Sequence, residues 1–421
     1  YHRVDVTEDY RWLEDGNAAE VKAWGQLQTN YARGILDKLP GVDAVRQRVQ
    51  KILAAETVEY YDVAYRNGRH FSMKRQPPLQ QPFIVMLESP HDTTTERVVV
   101  DPNAIDAEGS TSIDWYKPSP DGTLVAVSLS VSGTEVGDLH VYDCTSGERV
   151  HEIIPRVNTG TAGGDICWSP DCNGFYYTRH PRSGERPPED MNFYQQVYYH
   201  RLGTSTEQDR YELGKDSPRI AETQLTADLD TGRVLATIQD GDGGEFAHYL
   251  RKVDGTWIQF SSFGDRVLQA EFGPRDDLFI ISRAGAPRGK ILHTPIASLP
   301  ELTRAKTIIA QGDDTFVTSF WGHTSLLVTD DRLYVTYQLG GPSELRAFDH
   351  QGAEAARPRQ LPVANVGDLV RLADGEILFG TSSYLEPETK YIFQPGDSAD
   401  ARGKTIKTAL AATSPVDFDD V

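Results

Sequence analysis

The amino-acid sequence predicts a mainly β protein, a seven-bladed β-propeller preceded by a short N-terminal helical arm. A polar turn, mostly containing Asp or Asn and usually Gly, recurs at intervals of roughly 50 residues. Each turn precedes a short run of alternating β-forming residues, and the interval has room for about four short strands. Seven turns predict seven blades: Asn67-Gly68, Asp121-Gly122, Asn173-Gly174, Thr231-Gly232, Asp276-Asp277, Asp330-Asp331 and Asp374-Gly375.

The first 60 residues depart from this repeat and show the spacing of amphipathic helices. One apolar stripe follows an Asn17-x-x-Glu20 capping box, and a second helix is predicted to start near Asp43, after the break at Leu39-Pro40-Gly41. We therefore expect a helical arm over 1–59, the propeller over 60–400 and the start of a linker over 401–421. The first stripe consists of Val21, Trp24, Leu27, Tyr31 and Ile35.

The blades are predicted near 60–103, 115–155, 166–215, 220–262, 267–311, 316–363 and 367–396. Two of them carry long polar insertions, Arg179 to Gln196 and Asp240 to Glu245. Long loops on a rigid scaffold often bind ligands, and ordinary surface variation is the alternative interpretation.

Composition limits the classes of partner. The chain has 421 residues and a formal net charge of −20, which argues against nucleic acid or an anionic membrane as a partner. No apolar run is long enough for a membrane span. Cys144, Cys167 and Cys172 are too few for a paired disulfide framework, which favours a reducing compartment, so we expect a cytoplasmic location with the periplasm as the alternative. We also expect a monomer.

Familiar catalytic and metal-binding motifs are missing from the sequence. It has no Gly-x-Ser-x-Gly, and the nearest approximation, Gly341-Pro342-Ser343-Glu344-Leu345, lacks the second Gly. No histidine falls in a His-Glu-x-x-His spacing, and Gly160 to Gly164 does not match a phosphate loop. We predict no catalytic residue, no metal and no cofactor.

Several motifs carry a family resemblance. Asp9-Tyr10-Arg11-Trp12-Leu13-Glu14-Asp15 resembles the Asp-Pro-Tyr-x-Trp-Leu-Glu-Asp signature at the start of prolyl oligopeptidases. Val100 to Asn103, Ser119 to Gly122 and Tyr198 to Thr204 resemble the propeller of that family in order and spacing. The likeness runs from about Asp9 to Phe418 and is strongest before residue 215.

This resemblance implies a serine endopeptidase that cleaves short peptides on the carboxyl side of proline. In the family, an α/β-hydrolase domain with the catalytic triad follows the propeller, so the expected partners are that domain and short peptide substrates. We expect this chain to stop before that domain and to be inactive alone. The resemblance also implies that the propeller limits entry by size, that the arm packs on the hydrolase domain, and that the ring closes without strand exchange.

Inner loops of the early blades reach the substrate pocket in this family. The corresponding stretches are Gly163 to Cys167, Ile220 and Gln239 to Asp242, which makes Asp165, Ile220, Gln239 and Asp242 the candidate pocket or channel residues. Ordinary loop residues at the channel mouth are the alternative. Two other functions stay open: the propeller of an oligopeptidase that prefers basic residues, and a free-standing interaction propeller similar to WD40 scaffolds, although the Gly-His and Trp-Asp repeats are missing.

Overall fold

The computed structural model describes residues 2–55, 57–321, 324–396 and 403–413. The chain divides into two compact units, 1–56 and 57–421. The first unit is helical, and the second is built from β-strands in antiparallel sheets. The predicted fold class, a seven-bladed propeller with an N-terminal helical arm, is confirmed.

The first unit contains the helices α1 (Ala19–Leu36) and α2 (Val42–Leu53). The predicted capping box is wrong, because α1 begins at Ala19 with Ala18 as its N-cap and no side chain caps it. Asn17 precedes the N-cap, and its backbone N–H donates instead to Asp15 Oδ1 at 3.0 Å. Neither helix has a buried residue, and the apolar side chains of its stripe, such as Trp24 and Tyr31, are exposed.

The second unit begins with four sheets, each made of four consecutive strands. Blade 1 contains β1 (Glu59–Arg66), β2 (Arg69–Arg75), β3 (Phe83–Leu87) and β4 (Arg97–Val100), and a short helix α3 (Pro102–Ile105) follows it. Blade 2 contains β5 (Thr111–Pro118), β6 (Leu124–Val131), β7 (Gly137–Asp143) and β8 (Arg149–Asn158). Blade 3 contains β9 (Ile166–Trp168), β10 (Gly174–Arg179), β11 (Gln196–Arg201) and β12 (Arg210–Leu213). Blade 4 contains β13 (Ala221–Ala227), β14 (Val234–Asp240), β15 (Phe246–Arg251) and β16 (Trp257–Ser261).

Three more sheets complete the ring. Blade 5 contains β17 (Val267–Phe272), β18 (Asp277–Ser282), β19 (Lys290–Pro295) and β20 (Lys306–Ile309). Blade 6 contains β21 (Thr315–Phe316), β22 (Leu326–Val328), β23 (Arg332–Gln338), β24 (Ser343–Asp349) and β25 (Glu354–Ala355), with β21 and β22 both paired to β23. Blade 7 contains β26 (Asn365–Arg371), β27 (Ile377–Ser382), β28 (Thr389–Gln394) and β29 (Lys404–Ala411).

The core lies between blades rather than within a single centre. Among the described residues, seven clusters of buried apolar side chains each join two neighbouring blades. Sheets that are apolar on both faces must be covered on both, and packing in a ring meets this need for every blade.

Blades 1 and 7 meet without exchanging a strand, since each is built from consecutive strands. One apolar cluster closes this seam, with Tyr60 and Val85 on the first blade against Leu378 and Leu410 on the last. In addition, the Ala409 backbone N–H donates to the Pro90 carbonyl at 2.8 Å.

The last blade extends further along the chain than the sequence pattern predicts. Residues 404–411, which belong to the predicted linker, form β29 and pair with β28 from Gln394↔Lys404 to Thr389↔Ala411. Leu410 is buried in the seam cluster, which explains why the strand stays with the sheet. The rest of the predicted linker includes 401–402 and 414–421, which lie outside the described residues.

Candidate functional site

A channel runs along the inner strands of the propeller. It has a volume of about 1140 Å³ and is lined by residues from all seven blades. The lining comes mostly from the first strand of each blade or the residues just before it, for example Arg66 of β1, Lys117 of β5 and Arg371 of β26. The first strands are therefore the innermost ones, and side chains along them determine what the channel can admit.

Two kinds of loop surround one mouth of the channel. In blade 4, Ala221 at the start of β13 pairs with Asp240 at the end of β14, so the entry to the first strand and the β14–β15 turn lie together. The Gly241 N–H donates to the Ile220 carbonyl at 3.2 Å, which ties these two loops. The predicted stretches of blade 4 therefore share one face of the propeller.

Asp165 lies at the channel wall, where three blades meet. Its Oδ1 accepts from the Ile166 N–H at 2.9 Å, and its Oδ2 accepts from the Leu225 N–H at 2.8 Å. The Lys117 ammonium lies 3.1 Å from Oδ1, and the carboxylate raises the pKa of Lys117. Both oxygens are thus used to hold blades 2, 3 and 4 together.

The other three predicted residues take different positions. Asp242 is exposed and lines the channel. Ile220 is 43% exposed, and its side chain lies against Gly241 rather than in the channel lining. Gln239 is buried and pairs with Glu222 in the β13–β14 ladder, also outside the lining. The structure therefore brings Asp165 and Asp242 to one cavity, and a substrate role for any of the four stays a prediction.

Sequence reasoning missed Trp321, whose indole lies in the same channel. Its Nε1–H donates to Glu222 Oε2 at 2.7 Å. Burial raises the pKa of Glu222, and this hydrogen bond opposes the rise by stabilising the carboxylate. An aromatic residue in a predicted blade is normally part of the core, so the sequence offered little reason to select Trp321. The one local feature that could have indicated a channel residue was the Phe320-Trp321 pair ahead of a glycine.

Acidic groups dominate the described lining. Nine carboxylates, including Asp114, Glu222 and Glu271, face three cationic side chains, Arg66, Lys117 and Arg371. Burial raises the pKa of Glu271 to about 7, and it also raises the pKa of Asp114 despite hydrogen bonds from Ser128 and Ser130. The channel consequently favours cationic or neutral guests above pH 7.

The long insertion of blade 3 is an ordered structure on the same face. The Arg156 guanidinium donates to the carbonyls of Pro181 at 2.8 Å and Met191 at 2.5 Å. The Arg186 guanidinium stacks 3.6 Å from the centroid of the Tyr194 ring. These contacts fix the loop, and the hydroxyl of the channel-lining Thr161 donates to the Asn192 carbonyl, so the loop lies beside the channel.

Two other kinds of site have no candidate in the part of the chain that the structure describes. No group of three or more His, Cys, Asp or Glu side chains is arranged there to hold a metal ion. No helix among these residues is long and apolar enough to cross a membrane.

Comparison with protein families gives one match over most of the chain. Residues 1–400 match the family model described as "Prolyl oligopeptidase, N-terminal beta-propeller domain". Among curated proteins, a prolyl endopeptidase of Elizabethkingia meningoseptica is 23% identical over 404 residues, which cover 94% of this chain and 54% of that protein. A dual function macrocyclase-peptidase of Amanita bisporigera is 26% identical over 223 residues, which cover 49% of this chain and 30% of that protein.

Solved structures show the same fold. One from a structural and mechanistic analysis of two prolyl endopeptidases superposes with a TM-score of 0.84 at 23% identity, covering 99% of this chain and 58% of that one. Prolyl oligopeptidase B of Galerina marginata, bound to a 25mer macrocyclization substrate, superposes with a TM-score of 0.81 at 17% identity, covering 99% and 59%. The chain spans about half the length of the curated prolyl endopeptidase it matches.

Proposed function

The chain belongs to the prolyl oligopeptidase family, as its N-terminal β-propeller domain, and from this premise we propose that it is the non-catalytic part of a serine endopeptidase. The substrates would be short peptides, cleaved on the carboxyl side of proline. The names of the relatives support this specificity, since two Elizabethkingia proteins that match over more than nine-tenths of this chain are called prolyl endopeptidases.

The observation that carries the proposal is the channel. Its volume of about 1140 Å³ is close to the upper end of ligand pockets, roughly 300–1000 Å³. Such a space accommodates a stretch of extended peptide but no folded domain. Because apolar clusters join every neighbouring pair of blades, the ring resists widening, and the propeller selects substrates by excluding large ones.

Catalysis would belong to an α/β-hydrolase domain joined after the propeller. We assign no nucleophile, base or oxyanion donor to this chain, whose sequence has no Gly-x-Ser-x-Gly. The exposed apolar side chains of α1 and α2, including Trp24, Tyr31 and Val45, suit the arm to packing against that domain.

An oligopeptidase that prefers basic residues is the second candidate. It is favoured by the excess of carboxylates over cationic groups in the channel lining. A cationic peptide would be concentrated by this field at low ionic strength, and added salt would weaken the effect.

Chromogenic peptides that present proline or arginine at the cleavage site separate these functions. We expect the full-length protein to release the chromophore from the proline peptide and the 421-residue chain, with its mass verified, to release none. Turnover by the chain alone would show an active site within it. Cleavage of only the arginine peptide by the full-length protein would favour the second candidate, and cleavage of neither would favour an interaction propeller.

A further inference from the structure

The innermost strand of blade 6 is interrupted. β21 and β22 pair with the same strand, β23, at Phe316↔Tyr337 and Leu326↔Val335. Between these pairs, the Val317 N–H donates to the Thr336 carbonyl at 2.9 Å and the Thr336 N–H donates to the Ser325 carbonyl at 3.0 Å. The ladder thus continues on both sides of Thr336, and Thr318–Trp321 are inserted between the two halves of the strand.

An insertion at this position projects into the channel. The strand is the innermost one of its blade, and Trp321, Thr324 and Leu327 from this region all belong to the channel lining. We call Thr318–Trp321 the crossbar. Its residues extend from the inner edge of blade 6 toward other blades.

The tip of the crossbar is held by blade 4. The Trp321 Nε1–H donates to Glu222 Oε2 at 2.7 Å, and Gln224 Nε2 donates to the Phe320 carbonyl. The Phe320 ring also packs on the Phe246 ring of β15, with 5.6 Å between centroids. Two polar contacts and one aromatic contact therefore fix the tip on a wall two blades away from its origin.

Blade 3 completes the crossing. A Cβ atom built on Gly163 would lie 3.2 Å from the Trp321 ring, so the ring rests directly on the glycine backbone. In a ring of seven blades, the third and the sixth are nearly diametrically opposed. The crossbar consequently connects the inner edge of blade 6 with blades 3 and 4 inside the channel.

We propose that the crossbar is the size-limiting constriction of the channel and that Trp321 determines which peptides pass it. This inference rests on the proposed function and names its substrate class: linear, extended peptides pass beside the indole, whereas cyclised or hairpin peptides do not. The hydrogen bond to the Glu222 carboxylate and the packing of Phe320 on Phe246 hold the indole at this position.

The test compares a linear proline peptide with its disulfide-cyclised counterpart, identical around the cleaved bond, on the full-length peptidase. Trp321→Ala removes the bulk of the crossbar and its contact with Glu222. Trp257→Ala is the matched control. Trp257 lies on the outermost strand of blade 4, outside the channel lining, and its Nε1–H likewise donates to a carboxylate, Glu212 Oε2, at 2.9 Å. Phe320→Ala is a second crossbar variant in case Trp321→Ala does not fold, as judged by its thermal unfolding midpoint.

We expect a folded crossbar variant to raise the ratio of kcat/KM for the cyclised peptide to that for the linear one by roughly tenfold, with Trp257→Ala unchanged. An unchanged ratio in both crossbar variants would overturn the proposal that the crossbar limits peptide size. Cleavage of the linear peptide would still support the proposed function. Failure of the unsubstituted protein to cleave the linear peptide would overturn both.

Discussion

Val58 and Thr413 join the two ends of the propeller. The Val58 N–H donates to Thr413 Oγ1 at 3.2 Å, and the Thr413 N–H donates back to the Val58 carbonyl at 3.4 Å. These residues flank the first strand of blade 1 and the last strand of blade 7, yet they add no strand to either sheet. The seam therefore depends on side-chain packing and a few hydrogen bonds, whereas strands within a blade share continuous ladders.

This relationship predicts that the isolated chain opens first between blades 1 and 7. In native-state hydrogen exchange, the amides of β1 and β29 should exchange through a smaller opening free energy than those of β14 or β18. Protection that is uniform across all seven blades would contradict this prediction.

Leu410→Ala should weaken the seam specifically. Leu410 is 1% exposed in the cluster that joins blades 1 and 7, so its truncation should lower the free energy of unfolding by about 2–5 kcal/mol. Leu345→Ala, in the cluster between blades 6 and 7, is the matched control. Urea unfolding should show similar losses for both, but only Leu410→Ala should accelerate hydrogen exchange in β1. Equal acceleration by the two variants would show that the seam is not a separate weak point.

Asp165 should matter for stability. Asp165→Asn retains the shape of the side chain, but an amide cannot accept from two backbone N–H groups and pair with Lys117 at once. We expect a loss of about 2–4 kcal/mol in the free energy of unfolding, measured by urea denaturation. A change in the free energy of unfolding below about 0.5 kcal/mol would show that Asp165 contributes no more to stability than an ordinary surface residue.

Asp242 should matter for selectivity. Its side chain is exposed at the channel, so Asp242→Ala should change the free energy of unfolding by less than about 0.5 kcal/mol. In the full-length protein it should alter the relative kcat/KM values across a set of peptides that differ in charge. Asp230→Ala, in the exposed β13–β14 turn, is the control. Identical peptide rankings in both variants would show that Asp242 does not contribute to peptide selectivity.

Buried histidines should make the propeller sensitive to acid. His248 is 1% exposed, and burial lowers its pKa to about 3; burial likewise lowers the pKa of His180 to about 3. The unfolded chain therefore binds more protons than the folded one between pH 6.5 and 3, and stability falls as the pH drops through this range. Each histidine should lower the free energy of unfolding by about 3 kcal/mol between pH 7.5 and pH 4.5.

Urea unfolding at pH 7.5, 5.5 and 4.5 measures this dependence. His248→Gln removes one titrating group while its side-chain amide can still reach Ser261, the partner of His248 Nδ1 at 2.8 Å. The variant should lose less stability on acidification than the unsubstituted chain, whereas His91→Gln, at an exposed site, should not differ from it. An unchanged pH dependence in His248→Gln would assign the acid sensitivity to other groups.

Local chemistry explains which parts of the fold could be predicted. Turns such as Asn67-Gly68 depend on backbone conformations that few residues adopt, so their sequence alone indicates a hairpin. The motifs near Asp9 and Tyr198 likewise indicate the family from a few consecutive residues each. In contrast, β29 follows a break in the pattern after residue 396, and its pairing with β28 and the burial of Leu410 between two blades hold it in the sheet.

The sequence by itself determined the architecture, the number of blades and the family, because hairpin turns, strand alternation and signature motifs are properties of short segments. Tertiary structure alone decided which candidate residues meet at the channel and which residue crosses it. Asp165 and Leu225 are 60 positions apart, and Trp321 and Glu222 are 99 positions apart. Such pairs are brought together by the closure of the ring, and no pattern within a short segment of the sequence predicts these contacts.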